Sequence, residues 1–131
     1  MKQNQTIILR AGQGRSYKLG AMTAIFKADE KETDEKYSVS EWWLEPNSNG
    51  PGPHQHDDQD QIFYVLEGTM SILVADNWID ADKGTFVRIP TNTIHTFANR
   101  TDKKAGMLNL DVPGGFEKNM PSMVKWFEEN E

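Results

Sequence analysis

The 131 residues contain three histidines, His54, His56 and His95, and their placement is the strongest constraint on how this chain can fold. His54 and His56 are two positions apart, so on an extended strand both side chains point to the same face and can offer two imidazoles to one ion. His95 lies far downstream and can join them only if the sheet closes or folds over, which demands a barrel-like architecture. Gln61 follows the polar connection Asp57-Asp58-Gln59-Asp60, which can reverse the chain and bring the next strand back beside the pair as a further ligand.

With no cysteine in the chain, disulfides and thiolate ligands are excluded, and any metal here must be held by nitrogen and oxygen. Such donors suit one divalent transition metal ion: iron, nickel, manganese, copper or zinc. A formal charge of -6 argues against a nucleic-acid partner. No apolar run is long enough to span a membrane and the N-terminus lacks the apolar core of a secretory signal, so the expected location is the cytoplasm.

Short β-branched and aromatic stretches recur between turn-forming clusters, the pattern of an all-β sandwich or barrel of about eight to ten strands. Strands are expected over residues 6–9, 22–27, 37–44, 61–66, 69–75, 78–80, 85–89, 94–98 and 105–112, in a single domain spanning 1–131. Asp76-Asn77 reads as the tight turn of a hairpin, and the charged run 28–36 as a solvated loop. After Gly115, Pro121 suits a first helical turn, and Met123, Val124 and Phe127 recur at helical spacing, so a short helix is expected to pack on the outside of the barrel.

Two stretches resemble the paired motifs of the cupin superfamily, the small double-stranded β-helix (jelly-roll-like) barrels. His54, His56, the Gln61 position and Gly68 match the frame of the first motif, and Gly84, Pro90, His95 and Asn99 match the second. The similarity runs over residues 38–112, with 114–131 as a helical tail. Three departures stand out. Gly50 lies nearer His54 than the family's first glycine. Asn92 replaces a glycine, at a position where asparagine tolerates a left-handed turn. Gln61 stands where the family carries a glutamate ligand, and glutamine brings neither charge nor a general base.

The resemblance implies a metal held by His54, His56 and His95. Gln61 is then a weak fourth ligand or a hydrogen-bonding neighbour, or else a polar residue of a metal-free pocket. Trp42, Phe63, Val65 and Phe97 read either as the apolar lining of a substrate pocket or as plain barrel core. The C-terminal ending resembles cupins related to flavonol dioxygenases, which implies oxygenation of a planar small molecule. Non-redox isomerisation or lysis and non-catalytic binding or sensing of a small ligand are the alternatives. The family also implies a homodimer, with residues 6–9 pairing across the interface.

Overall fold

The computed structural model describes residues 5–130. Its ten strands are β1 (Arg15–Leu19), β2 (Met22–Ala28), β3 (Ser38–Leu44), β4 (Ser48–Asn49), β5 (Asp60–Glu67), β6 (Thr69–Val74), β7 (Asn77–Asp82), β8 (Phe86–Ile89), β9 (His95–Asn99) and β10 (Ala105–Val112). They form a six-stranded sheet, β1-β2-β3-β10-β5-β8, and a four-stranded sheet, β4-β9-β6-β7. All the pairings are antiparallel. The two sheets face each other over a core that includes Phe26, Trp42, Leu44, Phe63, Val65, Met70, Ile72, Phe97 and Met107. Alternation explains this placement, since residues two apart on a strand share a face.

The all-β barrel expected from the sequence is the fold observed, with corrections in its details. Residues 6–9 form no strand, and Ile7, Ile8 and Leu9 are exposed. The first strand is instead β1, whose outer residues are polar and which pairs with β2 through a tight turn at Gly20 with φ 61°. The hairpin between β6 and β7 turns at Ala75-Asp76 rather than Asp76-Asn77, because Val74 pairs with Asn77 and Ala75 takes the positive φ of 59°. Asn92 has φ 62°, the left-handed conformation for which asparagine can stand in for glycine.

The charged run after β2 is not a solvated loop. It contains one helical turn, α1 (Glu30–Thr33), and its Asp29 is buried. The Asp29 carboxylate accepts hydrogen bonds from the backbone N–H groups of Gly115 and Glu117, at 2.7 and 2.6 Å. Arg15 lies between Glu32 and Glu117, with N–O separations of 2.6 and 2.7 Å, and Tyr17 donates to Glu117 at 2.7 Å. These groups tie down the start of the tail, where a single 3₁₀ turn (Glu117–Asn119) leads into α2 (Met120–Glu129). Pro121 sits in the first turn of α2, where its missing N–H costs nothing. Neither helix is long and apolar enough to cross a membrane.

The tail strap makes two measurable statements. Replacing Asp29 with alanine leaves two backbone donors without their charged acceptor, so Asp29→Ala is expected to lose about 3 kcal/mol in urea unfolding at neutral pH. Glu32 is the second case. Its hydrogen bonds from Arg15, outweighing desolvation, hold its carboxyl below the usual value of 4.5. The unfolded chain therefore takes up a proton at Glu32 before the folded chain does, as pH falls. The stabilisation is fully present above pH 4.5 and is lost as pH drops through the lower folded value. Denaturant midpoints measured from pH 6 down to pH 3 should accordingly fall less steeply for Glu32→Gln than for the parent chain.

Candidate metal centre

The His-x-His segment lies outside the regular strands, a correction to the parity argument, and is held extended by one edge of the smaller sheet. His54 and His95 form an isolated antiparallel bridge, with His54 N–H donating to His95 O at 3.0 Å and His95 N–H to His54 O at 2.8 Å. On either side of it, Gly50 N–H donates to Phe97 O at 3.0 Å and Asn92 N–H to His56 O at 2.7 Å. A Cβ at position 50 would lie 2.2 Å from Phe97 O, so this close approach of two backbones requires glycine. The shortened spacing from Gly50 to His54 therefore lays the loop directly along β9. Asn99 closes the other end of β9, its side-chain amide donating to the carbonyls of Leu44, Glu45 and Lys103.

This arrangement gathers the three imidazoles. One ring nitrogen from each of His54, His56 and His95 falls within 4.8 Å of the others, and the ring centroids of His54 and His95 are 4.4 Å apart. Nδ1 of His54 lies 2.7 Å from Gly52 O, and Nδ1 of His95 lies 2.8 Å from Thr93 O. A carbonyl can only accept, so each Nδ1 carries a proton, which makes Nε2 the lone-pair nitrogen of the neutral ring. Burial pushes the His95 imidazole down to about 4, a shift the neighbouring imidazoles reinforce and the Thr93 carbonyl opposes. Desolvation, then the nearby His54, also lowers His56. Both are thus neutral near pH 7, the form that binds metals.

The buried polar atoms with no protein partner include His56 Nε2, His95 Nε2 and Gln61 Oε1. Such atoms are costly unless something satisfies them, and lone pairs on imidazole nitrogens and an amide oxygen suit a divalent cation. The residues present therefore fit the ion the sequence implied. Gln61 enters from the start of β5 and is buried, its Nε2 donating to Asn109 Oδ1 at 3.2 Å. Asp60, with the opposite parity, turns outward to Arg88 at 2.9 Å and is no substitute ligand.

Beside the histidines lies a cavity of about 250 Å³. Trp42, Phe63 and Phe97 line it together with His54, His56 and Gln61. Val65 does not reach it. That side chain is fully buried in the core further along β5, so it packs the barrel and does not line the pocket. The tail supplies two walls, Met123, which the helical pattern assigns only to external packing, and Phe116, which lies ahead of that pattern. Phe116 meets both Trp42 and His56 edge to face, with centroids 6.5 and 5.9 Å apart.

The polar group behind Gln61 is absent from the sequence-based expectations. Asn109 and Asp111 point inward from β10, while Leu108 and Leu110 are only partly buried on the opposite parity. Hydropathy alone gives the reverse orientation. The one available signal was that Asn109 and Asp111 share parity with Met107 and Ala105, both of them core residues. Burial pushes the Asp111 carboxyl up to about 7, with the side-chain amides of Gln61 and Asn109 beside it pulling the other way.

Comparison with known proteins gives this geometry its family. Quercetin 2,3-dioxygenase of Bacillus subtilis is 30% identical over 116 residues, which are 84% of this chain and 32% of that enzyme. The chain thus spans about a third of the curated relative's length. Solved structures share the fold at lower identity. KdgF from Halomonas sp. superposes with a TM-score of 0.73 at 16% identity, over 88% of this chain and 98% of that one. A RmlC-like cupin from Shewanella frigidimarina gives 0.74 at 15% identity, over 90% and 99%. A predicted oxalate decarboxylase from Thermotoga maritima gives 0.76 at 13% identity, over 82% and 99%. The Cupin_2 family, described as the cupin domain, matches residues 40–112, the span from within β3 to the end of β10 that holds all three histidines, and the chain belongs to that family.

Proposed function

We propose that this protein holds one divalent transition metal ion on His54, His56 and His95, with Gln61 Oε1 as a neutral fourth donor, and oxygenates a planar aromatic small molecule there. The observation that carries this reading is the run of unpartnered Nε2 and Oε1 atoms beside an aromatic cavity. Held by these residues, such an ion would supply redox and Lewis-acid chemistry. The chain's own residues do the rest. The rings of Trp42, Phe63, Phe97 and Phe116 exclude water and offer apolar faces and edges to a flat substrate.

Charge refines the substrate class. No carboxylate is among the described residues that line this cavity, so no carboxylate base is at hand to deprotonate a substrate. A shell of three neutral imidazoles and an amide leaves the ion's positive charge uncompensated, which favours an anionic oxygen as the incoming group. The best match is an acidic phenol or enol whose proton leaves easily, as in a flavonol. Similarity to quercetin 2,3-dioxygenase over most of this chain supports the same class.

Metal analysis of freshly purified protein is the first check. About one transition metal ion per chain is expected, falling to background in His54→Ala/His56→Ala and after chelation. Metal-free wild-type protein that takes up none of the five metals on addition would end this reading. Oxygen-electrode assays with flavonols, diketones and thiols are the second check. Metal-dependent uptake should be seen with flavonols and be abolished by chelation. Turnover that persists with zinc and without oxygen would instead assign a non-redox isomerase or lyase.

A further inference from the structure

The side-chain amide of Gln61 has two ends of nearly equal size, one accepting and one donating, and only its hydrogen-bond partners decide which end faces which way. Its partners come from β10. In the ladder, Asp111 is paired with Gln61, and Asn109 with Phe63. Asp111 is fully buried, and its Oδ2 accepts a hydrogen bond from Asn109 Nδ2 at 3.1 Å. The same nitrogen lies 3.5 Å from Ser40 Oγ. Oδ2 accepts whether or not the other carboxyl oxygen carries a proton, so Asn109 must turn its NH₂ toward Asp111. Its Oδ1 is then left for Gln61, whose Nε2 donates to it at 3.2 Å. The Oε1 end of Gln61 is left buried and free, as are His56 Nε2 and His95 Nε2.

We infer that Asp111 and Asn109 are positioning residues: a carboxyl oxygen that accepts from Asn109, at the end of a two-amide relay, aims the oxygen of Gln61, and not its NH₂, at the three-histidine site. This inference rests on the metal-binding reading above. With the relay reversed, two N–H donors would point toward the position of a cation, and the fourth donor would be lost. The relay also accounts for glutamine in place of glutamate. A carboxylate at position 61 would set its oxygen against Asn109 Oδ1, acceptor against acceptor, as long as Asp111 holds the Asn109 amide in its present sense.

The test uses the full chain after chelation, titrated calorimetrically with cobalt(II). Asp111→Asn puts an amide, whose two ends can donate or accept, in place of the carboxyl at the end of the relay, so the relay loses its direction, and cobalt affinity should fall about tenfold. The double variant Asn109→Asp/Asp111→Asn restores direction, because the carboxylate introduced at position 109 can accept from both Gln61 and the amide introduced at position 111, and wild-type affinity should return. A purely structural role predicts no such rescue. Cobalt binding by Asp111→Asn as tight as wild type, or a double variant no tighter than the single one, would overturn the proposal. A second readout needs no metal. Nuclear Overhauser contacts from the Gln61 Nε2 protons in the metal-free protein should reach the Asn109 side chain and not the rings of His54 and His56. The opposite pattern refutes the relay even if wild type binds cobalt. Conversely, failure of wild type to bind cobalt counts against the metal reading, and the contacts then decide the relay alone.

Discussion

The antiparallel bridge between His54 and His95 is the interaction on which the site depends. Two backbone hydrogen bonds at 2.8 and 3.0 Å fasten an irregular loop to the edge of β9, and with them the two sequence motifs become one surface. The side bonds of Gly50 to Phe97 and of Asn92 to His56 keep the loop in register. Slipping such a register by one residue sends every side chain to the opposite face. Here that would turn His54 away from His95 and disperse the imidazoles. The glycine at 50 and the left-handed asparagine at 92 are thus part of the site, although neither residue lines the cavity.

Buried polarity is the second organising feature. The barrel wall carries Gln61, Asn109, Asp111, Ser40 and His95 at positions where a β-sandwich ordinarily packs hydrocarbon. Each uncompensated group there costs free energy, which is tolerated when the groups satisfy one another or a ligand. Most of this set forms a connected chain, and its unpartnered atoms include donors of the kind a metal takes. Asp29 and the Arg15, Glu32 and Glu117 cluster hold the tail so that Phe116 and Met123 complete the cavity. Charged groups outside the cavity therefore shape an apolar pocket beside the site.

Much of the fold was legible because its signals are local. Alternation and turn residues locate eight of the strands to within a few residues, and the proline and helical spacing of the tail locate α2. The failures are physical as well. β1 is half polar and shows little hydrophobic contrast, while the largely β-branched residues 6–9 look like a strand but pair with no strand among the described residues. The run 28–36 reads as solvated because its partners, Arg15 and the backbone at Gly115 and Glu117, are remote in sequence. β10 presents Asn109 and Asp111 inward against the usual hydropathy rule, since a polar site inverts the pattern that an apolar core would impose.

By itself, then, the sequence determined the donor types, the absence of thiolates, the barrel class and the identity of the three converging histidines. The donor types follow from residue chemistry, and the barrel class and the convergence of the histidines from strand alternation together with the resemblance to the paired cupin motifs. Only the tertiary structure decided which way Gln61 presents its amide, that Asp111 stands behind it, that Val65 packs the core, and that the tail walls the cavity. Each of these depends on contacts between strands distant in sequence, and the direction of a hydrogen bond or the reach of a side chain exists only once both partners are in place.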